Sequence, residues 1–263
     1  ARGKCRSIAG CRVVAMTLEV AAIIGDPVVQ SLSPAMHSAV FHQRKTDWTY
    51  VAMEVHEDAL AGVLQTLGGK SINAFSVTMP HKEKVFEMLS TASNDLGEVD
   101  ESAKAAQSVN TIAISDGRMI GSNTDGYGCC NAIEQAGVGI AGSRVVIVGA
   151  GGTARAIVAT LERRGASDVA VINRTESRAQ DVIAAATVAR IGTVDDIATA
   201  NILINATSVG MGSQETPVEQ ARLHSALVVL DAVYYPLETT LLRDAKRAGA
   251  KTVDGLWMLV HQG

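Results

Sequence analysis

The stretch RVVIVGAGGTARAIVATLERRG, residues 144–165, decides the fold. After Arg144, residues 145–148 form a short run of apolar, β-branched side chains, which is typical of a strand buried inside a parallel sheet. A glycine turn, GAGGTA (149–154), follows at once, and an amphipathic pattern then predicts a helix. A strand, a glycine turn and a helix in this order are typical of a doubly wound α/β sheet.

The glycine turn fits the pattern G-x-G-x-x-G/A, which binds the pyrophosphate of a dinucleotide. Gly149 permits the tight turn, Gly151 lets the backbone approach the pyrophosphate, and Ala154 allows close packing of the helix on the strand. The free N–H groups at the start of the helix attract phosphates. Glycine turns also occur without a ligand, but here both flanking elements are predicted. The candidate dinucleotide site therefore contains Gly149, Ala150, Gly151, Gly152, Thr153 and Ala154.

The next predicted strand, VAVINRT (169–175), indicates which dinucleotide is bound. NAD-specific folds usually place Asp or Glu at the end of this strand, where it holds the ribose 2′-hydroxyl. Here Asn173, Arg174 and Thr175 stand in that place, and Arg178 follows one helical turn later. Two guanidinium groups and two short polar side chains suit a 2′-phosphate, so the sequence favours NADP. The alternative is a solvated pair of arginines on one helix face.

Strands and helices alternate along the rest of the chain. The first half is predicted to contain strands 20–25, 49–55 and 72–79, helices 33–44, 57–67 and one from about 81, and a hairpin of 109–114 with 119–123. The second half adds strands 202–207 and 226–234 and a helix 239–249. The predicted fold class is α/β, with two α/β domains around a cleft, of which the second is a Rossmann-type doubly wound sheet.

Composition and charge exclude several classes of protein. The chain has 263 residues, 47% of them hydrophobic, and a formal net charge of -4, which favours neither nucleic acid nor an anionic membrane as a partner. No apolar run approaches the roughly 20 residues that span a bilayer. The cysteines Cys5, Cys11, Cys129 and Cys130 form no C-x-x-C pair, and no cluster has metal-ligand spacing, so no metal is predicted. We interpret them as reduced thiols of a cytoplasmic protein.

Two segments of the first half carry polar side chains near predicted strand-to-helix corners. Ser31 and Ser33 precede a helix start, where paired hydroxyls could hold a carboxylate or Ser33 could simply cap the helix. The stretch SVTMPHKEK (76–84) places Thr78 and Lys82 at a corner after a strand. Most lysines in such a position are solvated charges, so this pattern alone does not predict catalysis.

Two further segments carry polar side chains around the predicted hairpin. SVNT (108–111) contains Asn110, and GSNTDGYG (121–128) contains Asp125 in a loop that leads into a helix. Taken alone, Asp125 is predicted to be an N-cap.

Nine motifs together resemble those of one family. Across residues 20–262 the chain resembles shikimate dehydrogenases. The motifs, in the order of the family, are SLSPAMH (31–37), SVTMPHK (76–82), SVNT (108–111), GSNTDGYG (121–128), GAGGTARA (149–156), NRT (173–175), NATSVGM (205–211), DAVYYP (231–236) and DGLWMLVHQ (254–262). The resemblance implies an NADP-dependent oxidoreductase that reversibly reduces 3-dehydroshikimate to shikimate in aromatic amino acid biosynthesis.

The resemblance also implies a role for each polar residue. Lys82 and Asp125 would form the catalytic pair, in which the lysine exchanges a proton with the reacting oxygen. The substrate would contact Ser31, Ser33, Thr78, Asn110, Tyr234 and Gln262. NADP would contact Gly149, Ala150, Gly151, Gly152, Thr153, Ala154, Asn173, Arg174, Thr175, Arg178, Val233 and Gly255.

Domain boundaries follow from the patterns and the resemblance together. Residues 16–123 are expected to form the substrate-binding catalytic domain, and residues 124–254 the NADP-binding domain. Residues 255–263 would begin a helix that returns to the first domain, and we expect this helix to be truncated. Residues 1–15 carry four basic residues and no acidic one, and we expect a disordered or non-native extension there rather than a transit peptide.

One departure and two alternatives accompany this assignment. The family usually has Asn at the position of Ser76, so the support of this loop could be weaker. A quinate or dual-specificity dehydrogenase is the nearest alternative, but Ser33 and Thr78, which members specific for quinate tend to lose, are both present. A non-catalytic NADP-binding regulator is the alternative of another class. The expected partner is a small-molecule substrate, and the expected state is a monomer or a homodimer.

Overall fold

The computed structural model describes residues 18–91 and 96–263, so the extension expected at 1–15 lies outside the described residues. Two six-stranded sheets follow one another along the chain. Among the described residues, no helix combines the length and the apolar character needed to cross a membrane.

The first sheet is mixed. Its strands are β1 (Glu19–Gly25), β2 (Trp48–Glu54), β3 (Ala74–Val77), β4 (Gly97–Val99), β5 (Thr111–Ser115) and β6 (Arg118–Ser122). The helices between them are α1 (Ser33–Arg44), α2 (Leu60–Leu67), α3 (Lys82–Ser90) and α4 (Glu101–Ala106), and a 3₁₀ turn (Glu57–Ala59) precedes α2. The spatial order is β2-β1-β3-β5-β6-β4, in which β1 runs parallel to both neighbours and β5 and β6 form the predicted hairpin.

The second sheet is parallel throughout and has the order β12-β11-β10-β7-β8-β9. Its strands are β7 (Arg144–Val148), β8 (Asp168–Ile172), β9 (Ala189–Ile191), β10 (Ile202–Asn205), β11 (Val228–Asp231) and β12 (Lys251–Val253). Its helices are α5 (Asp125–Gln135), α6 (Gly152–Arg163), α7 (Glu176–Ile183), α8 (Thr240–Arg247) and α9 (Gly255–Val260), with 3₁₀ turns at Val194–Thr199 and Gln220–Arg222. This is the doubly wound order, so the α/β prediction is confirmed.

Side chains of β7 alternate between the two faces of the second sheet. Val145 and Ile147 are buried in the core that also receives α5 and α6, whereas Val146 is buried in the core beneath α8. Burial on both faces explains why this strand is a continuous run of apolar residues. The crevice at the carboxyl ends of β7 and β10 is where the strand order reverses, which is the usual ligand position in such sheets.

Helix α5 connects the two sheets. It begins directly after β6 of the first sheet, and its residues Cys129, Cys130 and Ile133 are fully buried in the core of the second sheet. Burial also raises the pKa of the Cys130 thiol to about 12, so this residue acts as a small apolar side chain.

Two glycines let other helices approach the start of α5 closely. A Cβ on Gly126 would overlap the Oγ1 of Thr160 and the carbonyl oxygen of Ala156, both on α6. A Cβ on Gly128 would lie 2.6 Å from the carbonyl oxygen of Met258 on α9. The glycines of GSNTDGYG therefore set the separation of α5 from both neighbours, which no residue with a side chain could match.

We predict that Gly126→Ala lowers the free energy of unfolding by about 1–3 kcal/mol, because the added methyl group must push α6 away from α5. The measurement is the denaturant midpoint. Gly62→Ala is the control, because Gly62 lies in α2 with open space around its Cβ position, and it should gain about 0.5–1 kcal/mol. Equal effects of the two substitutions would contradict the close contact of α5 with α6.

Candidate active site

A cavity of about 340 Å³ lies between the two sheets, where loops that follow β3, β6, β10 and β11 meet. Most of the residues predicted to bind substrate line it. The predicted residues on its wall are Ser33, Thr78, Lys82, Asn110, Asp125, Tyr234 and Gln262, together with Thr153, Val233 and Gly255 of the predicted cofactor set.

The corner between β3 and α3 places Thr78 and Lys82 on the cavity wall. A Cβ on Gly25, at the end of β1, would overlap the side chain of Thr78, so the absence of a side chain there leaves room for the corner. The buried His81 ring donates from Nε2 to the carbonyl oxygen of Val55 at 2.5 Å, which ties the corner to the segment after β2. Helix α3 then begins at Lys82.

Lys82 and Asp125 form a buried ion pair. The Nζ of Lys82 donates to the Oδ2 of Asp125 at 2.6 Å. The side chain of Lys82 is 15% exposed and that of Asp125 is 2% exposed. A buried pair of this kind is stable only when further hydrogen bonds satisfy the charged groups.

Asp125 receives those further bonds from two other segments. Asn110 donates from Nδ2 to Oδ1 at 2.9 Å, and Thr153 donates from Oγ1 to Oδ2 at 3.0 Å. The residue also lies in the first turn of α5, where the helix dipole favours a negative charge. Asp125 makes no capping bond, so the prediction of an N-cap from the isolated motif was wrong: the carboxylate faces the cavity instead of the helix backbone.

Asn110 fixes the segment before α5. Its Oδ1 accepts from the backbone N–H of Thr124 at 3.0 Å, while its Nδ2 also donates to the Thr124 hydroxyl at 3.0 Å. Asn110 is therefore both a wall residue of the cavity and a support for Asp125.

The two serines of the first loop lie in different environments. Ser33 is buried on the cavity wall, and its backbone N–H donates to the Oγ of Ser31 at 3.2 Å. Helix α1 has no side-chain cap, so the interpretation of Ser33 as an N-cap is also wrong. Ser31 is absent from the cavity wall, and its hydroxyl shapes the turn that presents Ser33.

Tyr50 supports the same wall from β2. Its hydroxyl donates to the Oγ of Ser76 at 2.6 Å, and its ring stacks on His37 at 4.4 Å between centroids. Burial raises the pKa of Tyr50, so the hydroxyl keeps its proton. Ser76, the departure from the family's pattern, is thus bonded to a residue of β2, which lies two strands away in the sheet.

The start of α6 fits a dinucleotide phosphate. Gly149 has a φ of 120°, which side chains rarely allow, and a Cβ there would lie 3.0 Å from the backbone of Ala206. The helix begins after Gly151 without any side-chain cap, and the Cβ position of Gly151 faces open space. The N–H of Gly149 donates to the carbonyl oxygen of Ile172, whereas the N–H groups at the start of α6 have no side-chain cap and suit phosphate oxygens.

The residues predicted to bind the 2′-phosphate lie after β8 and in the first turn of α7. Asn173 follows β8 and donates from Nδ2 to the carbonyl oxygen of Thr175 at 2.8 Å, which shapes the turn before α7. Arg174 and Arg178 are exposed. Neither forms an ion pair within residues 18–91 and 96–263, so both guanidinium groups are available to an anion.

A buried carboxylate holds the loops after β10 and β11. Asp231 accepts from Asn205 Nδ2 at 2.8 Å, from the backbone N–H of Val233 at 3.0 Å and from Thr239 Oγ1 at 2.6 Å. Burial raises the pKa of Asp231, and the three donors partly offset that shift. The loops that this carboxylate joins carry Val233 and Tyr234 to the cavity.

Sequence reasoning missed several side chains at this site, and three of them illustrate why. Thr124, Tyr50 and His37 were not predicted, although two of them line the cavity and Tyr50 supports its wall. Thr124 adjoins Asp125 in a recognised motif, so proximity to that motif could have identified it. The contacts of Tyr50 depend on strand pairing, which leaves no local signal.

His261 lies outside the cavity wall, although it adjoins Gln262, which lines it. Its ring contacts Gln135 at the end of α5 instead. In the described part of the chain, no group of three His, Cys, Asp or Glu residues could hold a metal ion.

Comparison with known families gives two matches. The family model of the shikimate dehydrogenase substrate binding domain matches residues 23–112. The model of shikimate / quinate 5-dehydrogenase matches residues 132–230. The two matches cover most of the first and of the second sheet respectively.

Relatives and solved structures extend over most of the chain. Shikimate dehydrogenase (NADP(+)) of Thermococcus kodakarensis is 42% identical over 245 residues, which are 92% of this chain and 86% of that protein. Shikimate 5-dehydrogenase from Thermus thermophilus, in complex with NADP(H) and shikimate, is 32% identical with a TM-score of 0.84, covering 93% of this chain and 90% of that one. Quinate dehydrogenase from Corynebacterium glutamicum, in complex with NAD, is 29% identical with a TM-score of 0.81 over 93% and 90%.

We predict that Asp231→Ala lowers the free energy of unfolding by about 2–4 kcal/mol, because three buried donors lose their acceptor. The measurement is the denaturant midpoint of each variant. Asp195→Ala is the control, because Asp195 is 78% exposed in a surface ion pair with Arg222, and it should change stability by less than about 1 kcal/mol. A similar small change in both variants would show that Asp231 does not hold the two loops together.

Proposed function

The chain belongs to the shikimate dehydrogenase family, and from that premise we propose how its residues carry out the reaction. It is an NADP-dependent oxidoreductase that reversibly reduces 3-dehydroshikimate to shikimate, a step of aromatic amino acid biosynthesis. The single observation that carries the proposal is the buried Lys82–Asp125 pair on the wall of a cavity that also adjoins the dinucleotide turn.

Reduction of the substrate ketone creates negative charge on its oxygen. Reduced NADP, held by the residues named below, would supply the hydride to the carbon of the carbonyl group. The ammonium group of Lys82 donates a proton to the oxygen and so prevents an alkoxide from accumulating. In the oxidation direction the same nitrogen accepts the proton of the hydroxyl group.

Asp125 keeps Lys82 in position. Its Oδ2 binds the lysine, and its Oδ1 is occupied by Asn110, so the carboxylate has one orientation. A residue fixed in this way lowers the activation barrier of the reaction, because the proton donor is already oriented toward the substrate. We assign the two residues the roles of proton donor and orienting anion.

The remaining polar wall suits a hydroxylated carboxylic acid. We propose that Ser33 binds the carboxylate, with Ser31 as the support of its turn. We propose that the other polar lining residues contact the ring hydroxyls or complete the pocket; these are Thr78, Asn110, Tyr234 and Gln262. A site built from hydroxyl and amide groups discriminates strongly against analogues that lack a matching group.

NADP fits the crevice of the second sheet. We propose that the turn from Gly149 to Ala154 holds the pyrophosphate, and that Asn173, Arg174, Thr175 and Arg178 hold the 2′-phosphate. Val233 and Gly255 line the cavity, and we propose that they contact the cofactor there. Two exposed guanidinium groups follow β8, where NAD-specific folds place an acid, and this supports NADP over NAD.

A cytoplasmic location stays a prediction, as does a monomeric or homodimeric state. The division into a substrate domain at 16–123 and a cofactor domain at 124–254 is likewise our proposal. It is supported by the passage of the chain from one sheet to the other at the start of α5.

The first test measures shikimate oxidation by NADP⁺, followed by absorbance of the reduced nicotinamide, with quinate and NAD⁺ in parallel. We expect shikimate with NADP⁺ to be the preferred pair. Lys82→Ala should lower kcat by roughly 10²–10⁴-fold with little change in KM. Lys84→Ala is the matched control, because Lys84 lies on the same helix in an exposed ion pair with Glu87.

Near-normal turnover of Lys82→Ala would refute the proton-transfer role. Preference of the unaltered protein for quinate would favour the alternative dehydrogenase. No turnover of either substrate, with NADP binding retained, would favour the non-catalytic regulator.

The cofactor assignment has its own prediction. Arg174→Ala and Arg178→Ala should weaken NADP binding by roughly 10-fold or more and leave NAD binding nearly unchanged, because only NADP carries the 2′-phosphate. The measurement is the Kd of each dinucleotide. Arg222→Ala, which removes an exposed arginine paired with Asp195, should affect neither. Equal losses for NADP and NAD would contradict the assignment.

A further inference from the structure

Thr153 lies in the dinucleotide turn but contacts the catalytic pair. Its Oγ1 accepts from Lys82 Nζ at 3.2 Å and donates to Asp125 Oδ2 at 3.0 Å. With the 2.6 Å bond between Lys82 and Asp125, these contacts close a triangle of three side chains. A residue that only held phosphate would need its backbone N–H, not this hydroxyl.

The first turn of α6 is fixed against the first half of the molecule. The hydroxyl of Ser108 donates to the carbonyl oxygen of Gly152 at 3.3 Å, and a Cβ on Gly152 would lie 2.8 Å from the Cβ of Ser108. One turn further, Arg155 donates to Gln107. Thr153 therefore reaches Lys82 only because this turn and the segment before β5 are in contact.

The triangle determines the direction in which the lone pair of a neutral Lys82 amine can point. A neutral lysine amine has two N–H groups and one lone pair. When Asp125 Oδ2 and Thr153 Oγ1 each accept one N–H, the lone pair has a single remaining direction. Because Lys82 lines the cavity, we take this remaining direction to face the substrate side. Without the Thr153 hydroxyl, one N–H could turn into the cavity and the lone pair away from it.

We propose that Thr153 is a positioning residue for proton transfer, which orients the amine of Lys82 through its hydroxyl group; this rests on the proposed function. In shikimate oxidation the O–H bond breaks and its proton passes to the lone pair of Lys82. The C–H bond on the same carbon breaks, and its hydride passes to NADP⁺. Thr153 takes no part in either bond change and fixes the acceptor nitrogen at the start. It also makes that orientation depend on the contact between α6 and the first half of the chain.

The test compares Thr153→Val with Thr153→Ser in steady-state shikimate oxidation. Valine keeps the shape and loses the hydroxyl, so kcat should fall by about 5- to 50-fold. Serine keeps the hydroxyl and should restore kcat to within about 3-fold of the unaltered protein. KM for shikimate and Kd for NADP should change by less than about 3-fold in both variants. The thermal midpoint of each variant monitors folding.

A double-mutant cycle separates positioning from structural damage. Thr153→Val is repeated in the Lys82→Ala background, where no amine remains to be oriented. We expect little or no additional loss of kcat there, because the two substitutions remove one coupled interaction. A fall by the same factor in both backgrounds would mean that Thr153 acts on the structure in general, and would overturn the proposal.

Two other results would also overturn it. A raised Kd for NADP with unchanged kcat at saturation would make Thr153 a cofactor contact only. A serine variant as slow as the valine variant would show that the hydroxyl is not the active feature. Failure of the proposed function is a separate result, because the unaltered protein would then fail to oxidise shikimate at all.

Discussion

The buried carboxylate of Asp125 is the group on which the two halves of the molecule converge. A carboxylate removed from water is stable only when its oxygens accept hydrogen bonds. Three segments supply those bonds: the corner after β3 through Lys82, the segment before β5 through Asn110, and the first turn of α6 through Thr153. The requirement to satisfy one charge thus brings together the substrate wall and the cofactor turn. In the proposed mechanism, Lys82 is the polar group that exchanges a proton with substrate.

This convergence depends on how closely α6 and α9 approach the start of α5. Gly126 and Gly128 have no side chain to keep them apart, so α6 brings Thr153 to the carboxylate and α9 brings Gln262 to the same cavity. Further along α5, Cys129 and Cys130 are buried in the core of the second sheet. One helix therefore has a polar, glycine-rich start that serves the site and an apolar remainder that fixes it to the sheet. The motif GSNTDGYG (121–128), which resembles a loop in the sequence, thus packs against two helices in the fold.

Long periodic segments made most of the fold predictable. Helix α1 begins and ends at the predicted residues 33 and 44, and β7 with α6 follows the glycine pattern. The strands β4, β9 and β12 were missed because three residues are too few to show a recognisable hydrophobic period. At the site, the capping interpretations failed for a different reason: a polar residue at a helix start can bond to its own backbone or face a cavity, and its sequence neighbours are the same in both cases. The bond from Tyr50 to Ser76 spans 26 residues and joins β2 to β3 across β1, with which both strands pair, so no motif contains it.

The separation of the cofactor contacts explains how a threonine of the dinucleotide turn can position the amine of Lys82. Arg174 and Arg178 follow β8, are exposed and are absent from the cavity wall, whereas Thr153 lies on that wall. Contacts with the remote end of NADP contribute binding energy without touching the reacting atoms, and such energy can be used to hold the reacting end in place. Because α6 carries both the phosphate-binding turn and Thr153, a phosphate bound at its start would hold the helix where its threonine meets Lys82. Binding of the cofactor and orientation of the catalytic amine are then consequences of the position of one helix.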